Sequence, residues 1–245
     1  MSEQRNICRI LGVGVDNCSK SETRGWLKNA LGNPGGKKFV ATLNPEIILK
    51  GYRDKRYGEI LNSADLGLCD GFGIRLAGFL KGKRIKSRNA GVDLANFLLE
   101  EALLSGLRVL VVAAKNSLSS PEEIKRAVLK KCPNLDVEVL FFQDEEIFFQ
   151  NDSVRNSDIV FVNFGAPKQE LFIFDNRDKF LQSRILIGVG GTFDFFTGKM
   201  RRAPKVFRKI GLEWLWRFLQ EPRKRAGRIY NAVIVFPLTV LFKSN

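Results

Sequence analysis

Between residues 7 and 195, short apolar runs alternate with stretches of helical period. That alternation restricts the chain more than any single motif. Strands joined by helices run parallel, and a parallel sheet needs cover on both faces. The expected strands are residues 7–15, Lys38–Leu43, a run ending at Leu66–Cys69, Arg108–Ala114, Val137–Phe142, Asp158–Phe164 and Ile185–Val189. The helices expected between them are 19–31, with Ser21 or Thr23 as N-cap, and one opened by Asn44 and Pro45 that carries Ile47, Ile48, Tyr52, Tyr57 and Ile60 toward a core. Phe72–Leu80, a helix from Asn89 to Ser105, 121–131 behind the capping box Ser120–Glu123, and Leu171–Leu181 complete the set. Residues 143–156 read as irregular, with room for a short helix.

In such sheets ligands collect at the carboxyl ends of the strands. The polar and glycine-rich clusters fall at those ends: Thr42 and Asn44, Asp70 and Gly71, Gly165–Glu170, and Gly190–Asp194. The chain has no histidine, so a general base has to be Asp, Glu, Lys, Tyr or Cys. Asp70 is the best-placed candidate. An aspartate before glycine is also ordinary turn chemistry. Thr42 and Asn44 are open to two roles as well, strand end with helix cap or ligand contact. Arg88 fits either an anionic ligand or a solvated surface. No G-x-G-x-x-G opens a helix after the first strand and no G-x-x-x-x-G-K-[ST] occurs. A dinucleotide or P-loop site is therefore not expected.

The formal net charge is +14, and residues 199–245 hold twelve Lys/Arg against two Asp/Glu. Such a segment asks for an anionic partner. Phe207, Ile210, Gly211, Trp214 and Phe218 recur at helical spacing from Pro204 to Gln220. Glu221–Pro222 ends that helix and starts another. Basic residues among aromatics suit a helix pair lying on an anionic membrane. The same helices would also serve as a basic cover for their own domain. Nucleic acid is a poorer fit, because no recognised binding motif accompanies the charge. The apolar run Ala232–Phe242 is too short to span a bilayer and contains Pro237. The four cysteines are scattered, which fits a reduced cytosolic setting and no zinc site. The N-terminus is not a convincing signal peptide. The expected division is an α/β domain over 1–198 and a basic helical appendage over 199–245.

The ordered set Val40–Glu46, Asp70–Gly73, Arg88–Asp93, Phe164–Glu170, Gly188–Asp194, Arg202–Pro204 and Gly211–Leu215 resembles the WecG/TagA/CpsF family of bacterial glycosyltransferases. The resemblance implies a Rossmann-like α/β domain with a C-terminal membrane-docking appendage. It implies inverting transfer of a sugar, typically N-acetylmannosamine or its uronic acid, from a UDP-sugar. The acceptor would be a polyprenyl-diphosphate-linked sugar, typically undecaprenyl-diphosphate-N-acetylglucosamine, in teichoic acid, common antigen or capsule synthesis. Some members use other donors, including glucuronic acid. Asp70 matches the family's proposed base, Thr42 and Asn44 the polar pair beside it, and Arg88 a pocket arginine. Gln169 and the turn from Gly190 through Gly191 to Asp194 match regions expected to meet the donor. No Asp-x-Asp occurs, so neither a metal nor another cofactor is implied. Appendage cations would hold the diphosphate instead. Arg217 aligns with such an arginine, and Lys224 stands where a second is expected. A third falls on Gly227, for which Arg225 or Arg228 would substitute. The implied location is cytoplasmic, on the inner face of the plasma membrane. A second copy of the chain is a candidate partner, and a non-catalytic nucleotide-sugar- or lipid-binding protein is the competing reading.

Overall fold

The computed structural model describes residues 5–204, 206–207 and 211–243, apart from the side chains of Arg217 and Lys224. Eight strands form one sheet: β1 (Ile7–Ile10), β2 (Val13–Asp16), β3 (Lys38–Leu43), β4 (Leu66–Cys69), β5 (Val109–Ala113), β6 (Val137–Phe141), β7 (Ile159–Asn163) and β8 (Ile185–Gly188). Their spatial order is β1-β2-β4-β3-β8-β7-β5-β6. From β2 onward every pairing is parallel.

The expected first strand, 7–15, is instead a hairpin. β1 and β2 pair antiparallel, Ile7 opposite Asp16 and Ile10 opposite Val13. The two residues between them, Leu11 and Gly12, both have positive φ, 49° and 81°. A two-residue hairpin with two left-handed positions matches the twist of its strands. Leucine is an unusual choice there, which is why the sequence does not advertise the turn.

The helices lie on both faces, as a parallel sheet requires. α2 (Pro45–Arg53), α3 (Lys55–Asn62), α4 (Phe72–Leu80) and α9 (Lys168–Asn176) cover one face. α1 (Lys20–Leu31), α5 (Gly91–Ser105) and α6 (Pro121–Lys131) cover the other. Strand side chains divide by parity: Phe39, Ala41 and Leu43 enter the first core and Val40 the second. Two short helices, α7 (Glu145–Gln150) and α8 (Asp152–Arg155), fill the irregular stretch, and α10 (Phe193–Phe196) follows β8. The helix expected to run from Pro45 through Ile60 breaks at Asp54, whose extended backbone ends α2 and whose side chain accepts from Tyr57 N–H to cap α3. Two boundaries also depart from expectation. Ser19, not Ser21 or Thr23, caps α1, because its hydroxyl accepts from Glu22 N–H while Glu22 returns a bond to Ser19 N–H. α9 starts at Lys168 and stops at Asn176 rather than running from Leu171 to Leu181.

The appendage does not contain one helix from 204 to 220. Gly211 has φ +80°, a left-handed break, and α11 runs only over Glu213–Gln220. Ile210 lies outside the described residues. α12 (Pro222–Tyr230) then continues through a π-helical turn, Asn231–Val235, into α13 (Phe236–Phe242). Phe236 N–H reaches back five residues to Asn231 O. The wider turn lets the helix pass Pro237, which lacks an N–H of its own. The stretch Arg225–Phe242 is consequently 18 residues long, with mean hydropathy 1.2, enough by length and composition to cross a membrane. Within it the apolar run Ala232–Phe242 remains short, and the added length comes from the basic helix α12 ahead of it. In this structure the helix lies on the domain, with Phe236 and Val240 sealed into the first core.

Candidate active site

Asp70 sits one residue beyond β4. Its N–H donates to Leu43 O at 2.6 Å, so pairing with β3 continues to the end of the strand. Gly71 then takes φ 140°, ψ 151°, which opens α4 without a linker. At Gly73 a Cβ would lie 2.6 Å from Pro45 Cγ. The first turns of α2 and α4 are therefore in contact, and Asp70 is held where they meet the sheet. Its carboxylate is 28% exposed, and Oδ1 lies 3.5 Å from Arg88 Nε. Arg88 Nη2 also donates to Glu213 Oε2, from α11. Burial alone would lower the Arg88 pKa, but Asp70 and Glu213 raise it, so this guanidinium stays charged.

The two polar residues after β3 divide the work. Thr42 is buried and its hydroxyl donates to Gly188 O at 2.9 Å, tying β3 to the end of β8. Asn44 Oδ1 accepts from Ile47 N–H at 3.0 Å as the cap of α2. Its NH2 group makes no hydrogen bond among the described residues, which leaves two donors for a ligand. Gln169 is buried, and its side chain joins two loops: Oε1 accepts from Gly190 N–H at 2.8 Å and Gly165 N–H at 3.2 Å. Its Nε2 donates to the buried Glu170, which also accepts from Tyr57 OH at 2.8 Å. Asp194 is buried too, and Ser119 Oγ donates to it at 2.8 Å. Burial raises its pKa, against that hydrogen bond. Gly191 wraps this carboxylate: a Cβ there would lie 2.9 Å from Asp194 Oδ2. Asp70, Arg88 and Asn44 thus meet at the ends of β3 and β4. Gln169, Gly191 and Asp194 shape the adjoining turn after β8, with Gln169 and Asp194 as its internal braces.

The residues match the profile of the glycosyl transferase WecG/TagA/CpsF family over positions 8–245. The chain belongs to that family. A relative from Bacillus spizizenii is 35% identical over 189 residues, 76% of this chain and 72% of that protein. One from Staphylococcus aureus strain MRSA252 is 30% identical over 230 residues, covering 92% and 89%. Both are named N-acetylglucosaminyldiphosphoundecaprenol N-acetyl-beta-D-mannosaminyltransferase. This chain is accordingly a glycosyltransferase.

Ion pairs join the appendage of the glycosyltransferase to the side of the domain that carries the candidate site. Arg228 Nε lies 2.7 Å from Glu46 Oε2, in the first turn of α2, and Arg202 Nη2 lies 2.7 Å from Asp93. Burial would raise the Glu46 pKa, but Arg228 and Lys50 outweigh it and hold the carboxyl below its usual range. Arg225 donates twice to Glu221, at 2.8 and 3.0 Å. The side chains of Arg217 and Lys224 lie outside the described residues. Reading cations alone missed Glu46 and Glu213. For Glu213 the available signal was an acidic residue inside a strongly basic segment. A polar cavity of about 320 Å³ adjoins Arg88, lined by Lys20, Arg24 and Asn89 among others. Cys69, next to Asp70, is not a rival base: burial, then Asp70, pushes its thiol up to about 12. Among the described residues no three of His, Cys, Asp and Glu are placed to hold a metal ion together.

Proposed function

We propose that this glycosyltransferase moves N-acetylmannosamine from UDP to polyprenyl-diphosphate-linked N-acetylglucosamine, inverting the anomeric centre without a metal. The observation that carries the reading is the Asp70 carboxylate, partly exposed and paired with Arg88 where β3 and β4 end. The names of the two relatives supply the sugars. In this reading Asp70 takes the proton of the acceptor hydroxyl as its oxygen attacks the anomeric carbon. The bond from that carbon to the UDP oxygen breaks on the opposite face. Asn44 offers its NH2 donors to a sugar. The turn braced by Gln169 presents backbone N–H groups toward the donor.

Negative charge grows on the departing diphosphate and must meet cations. Arg225 and Arg228 are the described candidates, with Arg217 and Lys224 beside them in sequence. Arg225 and Arg228 are each paired with one carboxylate here. A diphosphate offers more charge and more acceptor oxygens, so binding would exchange Glu221 and Glu46 for phosphate. The enzyme would work as a peripheral protein on the inner face of the plasma membrane, where its lipid-linked acceptor is anchored.

The experiment is UDP release from a panel of UDP-sugars, with a short-chain polyprenyl-diphosphate-GlcNAc acceptor. Acceptor-dependent release from UDP-ManNAc, largely lost in Asp70→Asn, is expected. Equal release by Asp70→Asn would remove Asp70 as the base, and preference for another UDP-sugar would replace the donor.

A further inference from the structure

Helix α4 is built inside out. Its buried positions are Ile74, Ala77 and Gly78. At Gly78 a Cβ would lie 2.9 Å from Lys83 O, so the helix sits tightly on what lies beneath it. Its exposed positions are Phe72, Arg75, Leu76, Phe79 and Leu80. These recur at i, i+3, i+4, i+7 and i+8, which is one face of a helix. Phe79 is 74% exposed and Phe72 48%. A helix bordered by water carries polar residues on that face, and here only Arg75 is polar.

The C-terminal helix beside it has the same property. α13 packs against α4, and Lys81 Nζ donates to Lys243 O, so the two helices end together. Inward, α13 buries Phe236 and Val240. Outward, it leaves Leu238, Leu241 and Phe242 exposed, Phe242 at 80%. Arg75 lies within the combined stripe, and Lys83 and Arg84 follow α4, all three exposed. None of the three pairs with a carboxylate among the described residues.

Charge selects the occupant. A second copy docked symmetrically would bring these cations toward one another. An anionic bilayer meets them with phosphates while the aromatic and leucine side chains enter the headgroup–acyl boundary. We propose that α4 is a membrane-insertion element of the catalytic domain itself, forming with α13 a two-helix lipid-binding face. α4 begins two residues after Asp70, so insertion would set the base at the level of the headgroups, within reach of a lipid-bound acceptor. This rests on the lipid-linked acceptor of the proposed reaction, although binding to lipid can be measured without it.

The test is cosedimentation of the full chain with phosphatidylglycerol and with phosphatidylcholine vesicles, with no donor or acceptor present. Phe79→Glu should weaken partitioning onto phosphatidylglycerol by roughly tenfold to a hundredfold, the value of one large side chain withdrawn from an apolar phase. Phe79→Ser should fall between it and the parent, and Phe79→Trp should bind like the parent. Ile147→Glu, on α7, changes an equally exposed apolar side chain (71%) elsewhere and should bind like the parent. Parental binding by Phe79→Glu and Phe79→Ser would overturn the proposal. So would a change of oligomeric state in those variants with vesicle binding intact, because the face would then serve a second copy. In the transferase assay Phe79→Glu should keep activity on a soluble short-chain acceptor and lose it on acceptor embedded in vesicles. Failure of the parent on both acceptors would defeat the proposed reaction, and the vesicle measurement would still decide the docking face.

Discussion

The side-chain oxygen of Gln169 accepts backbone N–H groups from two loops at once, Gly190 at 2.8 Å and Gly165 at 3.2 Å. The turn after β8 is therefore positioned by a side chain from α9. Gly188 makes room for it: a Cβ there would lie 2.7 Å from Gln169 Nε2. Gly188→Ala should destabilise the protein by roughly 1–3 kcal/mol, the usual cost of overpacking. It should also raise KM for the donor. Adding Gln169→Ala removes the clash, so the double variant should lose less than the two single losses together. Urea unfolding of the four proteins checks this, and simple additivity would mean that the two residues do not compete for space.

Behind Gln169 stands a buried carboxyl. Glu170 accepts from Gln169 Nε2 and Tyr57 OH, yet burial still raises its pKa above the ordinary value. Tyr57→Phe removes one donor and should cost roughly 1–3 kcal/mol. The sign of its pH dependence follows. Without the hydroxyl the folded-state pKa of Glu170 rises further, while the unfolded value is unchanged. Below the unfolded value both states are protonated, and the variant loses only a hydrogen bond. As pH rises through the folded pKa the charged form is penalised more in the variant. Unfolding at pH 4 and pH 8 should therefore show the larger difference from the parent at pH 8. A difference that does not change with pH would mean that the Glu170 pKa does not depend on Tyr57.

The central strands were readable because their apolar runs are continuous, as in Val109–Ala113, where every residue is buried. The clusters at their carboxyl ends were readable for the same topological reason. Asn44 announced its helix through Pro45, and the structure confirms it as a cap. What failed to show was set by contacts distant in sequence. By resemblance Gln169 is expected to meet the donor, and its role as a brace shows only once Gly165 and Gly190 are brought beside it. The hairpin at Leu11–Gly12 depends on backbone signs that leucine does not signal. The outward stripe of α4 looks like any amphipathic helix, because periodicity reports that a face is apolar and not which way it points.

Arg228 and Glu46 join the appendage to α2, and the join is titratable. The Glu46 pKa is depressed in the folded state from the ordinary 4.5. Its contribution is thus fully present above that value and is lost as pH falls through the folded pKa. The exposed Arg228 end limits the pair to about 1 kcal/mol or less. Acidification below pH 4.5 should make the appendage more sensitive to an acid-active protease at Gly211 before the α/β core unfolds. Glu46→Gln should show the same sensitivity already at pH 7. Unchanged cleavage in Glu46→Gln would mean that the remaining contacts, Phe236 and Val240 in the core with the Arg202–Asp93 and Arg88–Glu213 pairs, hold the appendage without it.

Arg88 touches both the proposed base and the appendage, and its chemistry separates those roles. Lysine keeps the charge but presents one ammonium where arginine extends a planar fork. It cannot hold Asp70 through Nε and Glu213 through Nη2 together. Arg88→Lys should therefore lower kcat and loosen α11, seen as faster cleavage near Glu213. Asp70→Asn should lower kcat by roughly 10²-fold or more, the scale of a lost general base, with little change in donor KM. Cys69→Ala is the control for this pair, because a thiol pushed up to about 12 stays protonated at neutral pH and cannot stand in for the carboxylate. It should retain most of the activity. Loss of kcat in Cys69→Ala equal to that in Asp70→Asn would move the chemistry from the carboxylate to the strand that carries it.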